Sequence, residues 1–466
     1  MSTNAANDRR NDEPNALLDC DFASEPLSLF EEYMLTDNSP QYRMEPAIYL
    51  YFRGTLNREI ARRTFHEVLK RHPFLRSRVE KRRGRFFWVP SETPPEVLFV
   101  DYDLNPKDVF NESDRPRLRP IKIFVEPGFR IYYIESKREN WTRLVLQFHH
   151  SVADGIGMLQ ALDEWLTLYA REVGDVSRDT TLPELNQAAL AERRRIGWKL
   201  RSYLRNYCHT GRTTRQYLLC LPRPLVSVGA FNDVEPENDS PYMATTKLSR
   251  AETTAYLRRA KTIGATVNDA LLADCFRAID KWLTDVMHDE KNGRMRVMAP
   301  INMRTANNLR APLSNVVSTV FIDRSRRKSS VPGDSLLKSV VSEMQWVKKK
   351  DQRYVFLLIL RILRCIPGSL KLALRSSACR STCVLSNLGR VLEASSTRKD
   401  ENGRVVLGDA TLERVEAEAP IRYKTALSVV GLTYAGELNL CVHYDSRLIT
   451  NDQAREFARI YRELLL

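Results

Sequence analysis

The chain has 466 residues, 43 % of them hydrophobic, and a formal net charge of +14. That apolar share supplies a globular core and excludes a fibrous or wholly disordered protein, while the length exceeds what one core ordinarily takes, so two lobes are expected. The eight cysteines are scattered without a framework, which excludes a disulfide scaffold and leads us to expect reduced thiols and a cytoplasmic setting.

Residues 1 to 15 are polar, lack the apolar stretch of a secretion signal and read as disordered. We take 1–24 as a tail and 25–180 as a first lobe. Within that lobe, 47 to 52 reads as a strand. Residues 57 to 69 read as an amphipathic helix, with Ile60, Phe65, Val68 and Leu69 on one side. Residues 85 to 89 and 121 to 125 read as strands, and 141 to 148 alternates as a half-buried strand does. Directly after it, Ile156, Leu159, Leu162, Leu166 and Tyr169 fall at helical spacing. Residues 181–245 read as a basic connecting segment, with Pro222, Pro224, Pro236 and Pro241 marking its second half.

A second lobe is expected over 246–466. Ser249 and Glu252 form a capping-box pattern, and Thr266 can cap a helix that carries Val267, Ala270, Leu271, Ile279 and Leu283. Residues 296 to 300, 316 to 322 and 382 to 386 read as strands. Leu438, Leu440, Val442 and Tyr444 alternate with polar neighbours as in another strand. Thr450 and Gln453 open a last helix. The apolar stretch 355 to 366 is interrupted by Arg361 and Arg364 and falls short of the roughly 20 residues that span a bilayer. No P-loop and no Gly-x-Ser-x-Gly elbow occurs. Gly155-Ile156-Gly157 is followed by Gln160 where a dinucleotide loop needs its third glycine.

One string stands apart: His149-His150-Ser151-Val152-Ala153-Asp154-Gly155, at the end of the 141–148 strand. Neighbouring side chains on a strand point to opposite faces, so one imidazole can face a cavity while the other is locked into the structure. A neutral imidazole suits a general base. Core histidines and a metal site are the alternatives. Adjacent histidines on a strand diverge and rarely share one ion. Cys379 and Cys383 have no second pair at zinc spacing, so no metal is expected.

The motif resembles the active-site string of the chloramphenicol acetyltransferase-like superfamily, which includes condensation domains of peptide synthetases, alcohol acyltransferases and wax ester synthase/diacylglycerol acyltransferases. Further similar elements follow in the family's order. They are Asp37-Asn38-Ser39-Pro40, His72-Pro73-Phe74-Leu75-Arg76-Ser77-Arg78, Thr266-Val267-Asn268-Asp269, Pro300-Ile301-Asn302-Met303-Arg304 and Ser386-Asn387-Leu388-Gly389. The resemblance covers about residues 25 to 466. It implies an α/β (α+β) fold of two lobes, each a mixed sheet flanked by helices, with a substrate tunnel between them. It also implies a segment that crosses from the second lobe to the first near Ser386 to Gly389. The opening over 37 to 54 leans toward the wax ester synthase side.

The function implied is acyl transfer from a thioester, acyl-CoA or an acyl carrier protein, to an alcohol or amine. No permanently bound cofactor is implied, and the phosphopantetheine or CoA thioester is a co-substrate. His150 matches the second family histidine and is our choice of base. Asp154 is read as the partner of Arg304, shaping the loop, and His149 as structural. Gly155 is read as leaving room for the substrate arm or as the turn into the helix. A backbone N–H near Asp154 and Gly155, or the Asn387 side chain beside Ser386, is the candidate oxyanion donor. Asn268 and Asp269 are read as capping groups. The alternatives are a condensation-type amide- or ester-forming enzyme, a hydrolase, or a non-catalytic acyl- or thioester-binding module.

The positive charge gathers in 193 to 215, 348 to 350, 361 to 380 and 53 to 85. Solvated helix faces are one reading, and attraction to an anionic donor or carrier protein is a second. The third is peripheral contact with an anionic membrane, because Trp198, Leu200, Tyr203 and Leu204 interleave with Lys199, Arg201 and Arg205. Nucleic acid is not expected, since no nucleic-acid-binding motif accompanies the charge.

Overall fold

Alternating apolar strands build two six-stranded sheets, one for each lobe. A computed structural model describes residues 24–104, 116–197, 199–226, 242–329, 333–375 and 378–466. The expected disordered tail up to residue 23, together with Trp198, Pro236 and Pro241, lies outside the described residues.

The first lobe opens with β1 (Glu25–Pro26), α1 (Leu29–Asp37) and β2 (Ala47–Arg53). There follow α2 (Arg58–Arg71), β3 (Ser77–Arg82), β4 (Arg85–Pro90), β5 (Glu96–Asp101), β6 (Phe129–Ser136), β7 (Trp141–Phe148) and α3 (Gly155–Val173). β2, β7 and β6 are antiparallel neighbours, with Ile48 opposite Leu146 and Leu146 opposite Ile131, while β5 runs parallel to β6. Asn57 starts α2, its Oδ1 accepting from the N–H groups of Glu59 and Ile60. α2 and α3 then cover the sheet, and Phe65 stacks on Trp165 with centroids 4.4 Å apart. Such a stacked pair adds about 0.5–1.5 kcal/mol to its burial.

Two expectations are corrected here. Residues 121 to 125 are not a strand. Pro120 and Pro127 flank them, the Ile121 N–H donates to the Glu45 carboxylate, and the residues after it make a turn. Val125 and Glu126 donate to the Lys122 carbonyl, and Lys122 donates to the Glu126 carboxylate. The segment 181–245 is no plain connection either. It contains a 3-10 stretch (Gln187–Arg195) and the helices α4 (Leu200–Arg205) and α5 (Tyr207–Leu219). Arg193, read as part of a surface charge cluster, is buried. It pairs with Glu31 at 2.9 Å and lies over the Phe74 ring.

The second lobe comprises β8 (Met243–Leu248), α6 (Arg250–Thr262), α7 (Val267–Asp285), β9 (Arg294–Asn302), β10 (Val317–Ser325) and α8 (Ser335–Lys349). α9 (Val355–Cys365), α10 (Ser369–Arg375), β11 (Cys383–Arg390), β14 (Leu427–Tyr434), β15 (Glu437–Tyr444) and α11 (Asn451–Leu465) complete it. Its sheet runs β10–β9–β11–β14–β15–β8, with β11 parallel to both its neighbours. Capping boxes at Ser249, Thr266 and Thr450 start α6, α7 and α11. Asp269 serves one of them, its carboxylate accepting from the Thr266 N–H and hydroxyl.

The crossing segment lies further along than expected. Ser386 to Gly389 stay within β11, in the second sheet. The chain then crosses, and β12 (Val406–Leu407) and β13 (Ala410–Ala417) add to the first sheet through antiparallel pairing of β13 with β2. The range 246–466 therefore includes two strands of the other lobe. A third apolar cluster joins the lobes, with Phe30, Tyr33 and Met34 of α1 packed on Val317, Phe356, Leu357 and Leu360. No helix among the described residues is long and apolar enough to cross a membrane, and α9 buries one face against its neighbours.

Candidate functional site

β7 ends at Phe148, and the alternation continues for two residues beyond it. His149 is fully buried. Its N–H donates to the Gly128 carbonyl (2.8 Å), and its Nδ1 accepts from the Ser151 N–H (3.2 Å). Burial pushes its pKa down to about 3, helped by repulsion from His150. It is a neutral side chain behind the site and does not line the cleft.

His150 faces the other way. Its N–H donates to the Met44 carbonyl (2.7 Å), and its Nδ1 lies 3.0 Å from the Ala153 carbonyl oxygen. A carbonyl only accepts, so Nδ1 carries the proton and Nε2 is left with its lone pair. The rings of Phe30 and Phe148 stand edge-on at 6.1 and 6.5 Å. Burial holds the imidazole below its ordinary pKa of 6.5, against the opposing pull of the Asp154 charge and the Ala153 carbonyl. The neutral, basic form is thus the resting form at pH 7.

Asp154 caps α3, its Oδ1 accepting from the Gly157 N–H at 2.8 Å. The same carboxylate forms a two-pronged pair with Arg304, both contacts 2.9 Å, and accepts from the Val316 N–H at 2.8 Å. Four hydrogen bonds fill its acceptor positions, three of them from residues that flank β9 and β10 of the second lobe. Gly157 leaves room for the pair, since a Cβ there would crowd the Arg304 Nη2 and the Ser314 carbonyl, each at 3.2 Å. Gly155 meets a different constraint. Its Cβ would fall 2.6 Å from Leu388 Cδ2, the tip of a side chain reaching in from β11.

A short segment of the second lobe, 313 to 316, runs along the motif. The Leu313 N–H donates to His72 Nδ1 (3.0 Å), and the Asn315 amide donates to the carbonyls of His150 (2.9 Å) and Ser151 (2.8 Å). The Val316 N–H reaches Asp154. Because His72 accepts at Nδ1, its Nε2 carries the proton and donates to Glu164 at 3.2 Å. Asn315 was not singled out from the sequence, and Gly157 was weighed only as part of a dinucleotide loop. Asn315, and the lack of a side chain at Gly157, matter through contacts between segments far apart in the chain, which no local spacing marks.

One cleft between the lobes, with about 130 Å³ of solvent-sized space, takes in part of this set. His150, Asp154 and Gly155 line it from the first lobe, and Arg304, Ser386 and Asn387 from the second. The Asn387 Oδ1 accepts from the Gly389 N–H at 2.9 Å, which anchors that side chain to its own turn. Tyr33, Asp37 and Arg422 close one side. Arg422 pairs with Asp37 at 2.6 Å and donates to the Tyr33 hydroxyl. No group of three His, Cys, Asp or Glu residues that could hold a metal ion occurs among the described residues.

No family model matches the chain. Among curated proteins, a plipastatin synthase component of Bacillus subtilis (strain 168) is 28 % identical over 151 residues, 30 % of this chain and 5 % of that protein. Bacitracin synthase 3 of Bacillus licheniformis is 27 % identical over 133 residues, 27 % of this chain and 2 % of that protein. The chain thus spans a small fraction of the length of these relatives. Among solved structures, the epimerization domain from the third module of tyrocidine synthetase B superposes with a TM-score of 0.65 at 14 % identity, covering 95 % of this chain and 96 % of that one. The first condensation domain of the CDA synthetase gives 0.62 at 14 %, covering 96 % and 97 %. A mutant starter condensation domain of rhizomide synthetase, in complex with C8-CoA and Leu-SNAC, gives 0.63 at 12 %, covering 95 % and 94 %. The chain has the two-lobed condensation-domain fold. These likenesses lie with peptide-synthetase domains, not with the wax ester synthases toward which residues 37 to 54 leaned.

Proposed function

We propose that the protein is a condensation-type acyltransferase that moves an acyl group from a thioester to an amine or alcohol, with His150 Nε2 as the base. The observation that carries this reading is the tautomer of His150. The Ala153 carbonyl holds the proton on Nδ1, and the unprotonated Nε2 belongs to a ring that lines the interlobe cleft. The similar starter domain, solved with C8-CoA and Leu-SNAC, supports thioesters as the reacting class.

In this mechanism the acceptor N–H or O–H gives its proton to Nε2 as its lone pair attacks the thioester carbonyl. The tetrahedral intermediate then expels the thiolate, which takes that proton back from the imidazole. No covalent enzyme intermediate is required, because a cleft shared by both lobes can hold both substrates against one imidazole. Gly155 and Ile156, at the start of α3, line the same cleft, and the positive end of that helix suits a developing oxyanion. Asp154 and Arg304 act through the loop, since the carboxylate is fully occupied by its partners.

The test is thiol release from acyl-CoAs and acyl-pantetheines of graded length, with pooled amines and alcohols. We expect release that depends on the acceptor, and His150→Ala should lower kcat by about 10² to 10⁴ with the fold intact. Near-normal turnover in a folded His150→Ala protein would overturn the assignment. Release that ignores the acceptor would instead show a hydrolase.

A further inference from the structure

Of the fifteen large hydrophobic side chains that stand exposed among the described residues, nine lie in two segments, 199–221 and 355–375, about a tenth of the chain. They include Leu200 (63 % exposed), Leu204 (66 %), Leu219 (71 %) and Leu372 (75 %). Singly scattered surface leucines need no explanation, but a cluster of them does. The segments form α4, α5, α9 and α10, and these helices pack against one another as α4 on α5, α5 on α9 and α9 on α10.

Charge sharpens the picture. The two segments contain nine lysines and arginines and no aspartate or glutamate. Arg205 and Arg364 have carboxylate partners in Asp351 and Glu32. Arg201, Arg215 and Lys371 are exposed and have no carboxylate within 4 Å among the described residues, while Arg212 feels the Glu343 carboxylate. The inner sides of α5, α9 and α10 border an apolar cavity that includes Phe356, Leu360 and Leu370 and shares Tyr33, Asp37 and Arg422 with the His150 cleft.

We propose that this four-helix face docks on an anionic lipid bilayer. Leucine and isoleucine side chains on the outer turns would enter the headgroup boundary, as the apolar face of an interfacial helix does, and the unpaired basic residues would meet lipid phosphates and carboxylates. An acidic surface alone would satisfy the charge but not the protruding aliphatic side chains, and a bilayer's headgroup boundary takes up both. The proposal is independent of the catalytic assignment, since none of the outward-facing residues named belongs to the His150 site.

The 466-residue chain is floated with vesicles of phosphatidylcholine alone and of phosphatidylcholine with phosphatidylglycerol. We expect it to rise with the anionic vesicles and to remain below with the neutral ones, and the partition should fall as salt shortens the Debye length. The apolar variant Leu200→Ser/Leu204→Ser/Leu219→Ser and the charge variant Arg201→Glu/Arg215→Glu/Lys371→Glu should each lower partition by roughly tenfold or more. Their substitutions are exposed, so circular dichroism and thiol release should stay as in the unmodified chain. Absence of flotation by the folded protein on either vesicle would overturn the proposal, and so would undiminished flotation of both variants. A dimer in size-exclusion chromatography with light scattering that the leucine variant dissociates would assign the face to a second copy, and would equally overturn it.

Discussion

At the scale of single residues, the two adjacent histidines differ in what burial does to them, and each difference can be measured. His150 must be unprotonated to accept a proton, and its pKa lies below 6.5. The acidic limb of kcat/KM should therefore fall at a pH below that of an ordinary histidine, and a limb at or above 6.5 would argue for another group as the base. His149 contributes to stability instead. Its folded pKa is near 3, so below 6.5 the unfolded chain takes up a proton that the folded protein refuses. Stability is then lost as pH falls from 6.5 toward 3. In His149→Asn the Oδ1 can stand in for Nδ1 as the acceptor of the Ser151 N–H without titrating. Between pH 7 and pH 5 the unmodified protein should lose on the order of 2 kcal/mol more than this variant, as read by denaturant midpoints. Equal losses would show that His149 is not the group responsible.

At the scale of elements, the loop ahead of α3 is held by the second lobe more than by its own. Asp154 and Arg304 are both nearly buried, and removing one partner strands the other charge. Asp154→Asn and Arg304→Met should each cost about 3–5 kcal/mol, and the double variant much less than their sum. Strict additivity in urea unfolding would count against a coupled pair. So would an Asp154→Asn protein that keeps its stability and loses all turnover, which would make Asp154 a participant in the chemistry.

This element also shows where sequence reading works. The helix starts at Ser249, Thr266 and Thr450 could be read because a cap and its partner lie three residues apart. The Asp154–Arg304 pairing could be read because the two motifs stand in the order of a family that the chain resembles. Arg193 could not, because its burial depends on Glu31, 162 residues away. Asn315 could not either, because an asparagine before a strand looks like a turn residue until the carbonyls it serves are known. Residues 121 to 125 misled for the opposite reason. Their apolar pattern is real and Ile121 and Ile123 are buried, but a pattern reports burial and not the hydrogen-bond partner of the backbone.

At the scale of the whole molecule, neither lobe is a continuous stretch of chain. Leu412 and Val415 of β13 are fully buried in the first core although they follow most of the second lobe in sequence. A fragment of residues 24–226 lacks them, and β2 then presents Tyr49 and Tyr51 on an open sheet edge. Such an edge is a template for aggregation. We expect this fragment to aggregate alone and to be rescued by a peptide covering 391–418, followed by light scattering. A stable, monodisperse fragment without the peptide would show that β13 is dispensable to the first core.

The same strand sets a timetable for biosynthesis. β13 ends at Ala417, more than two hundred residues beyond the end of α3 at Val173. At about 5–20 residues per second, a ribosome takes roughly 10 to 50 s to deliver it. For about the first half of that interval the emerging first lobe has its histidine loop without Arg304, and throughout it the first sheet lacks β13. The histidine loop can take its final form once residues 304 to 316 are made, but the first sheet can close only after β13, so in that last stretch of translation the open edge of β2 is what most needs a chaperone.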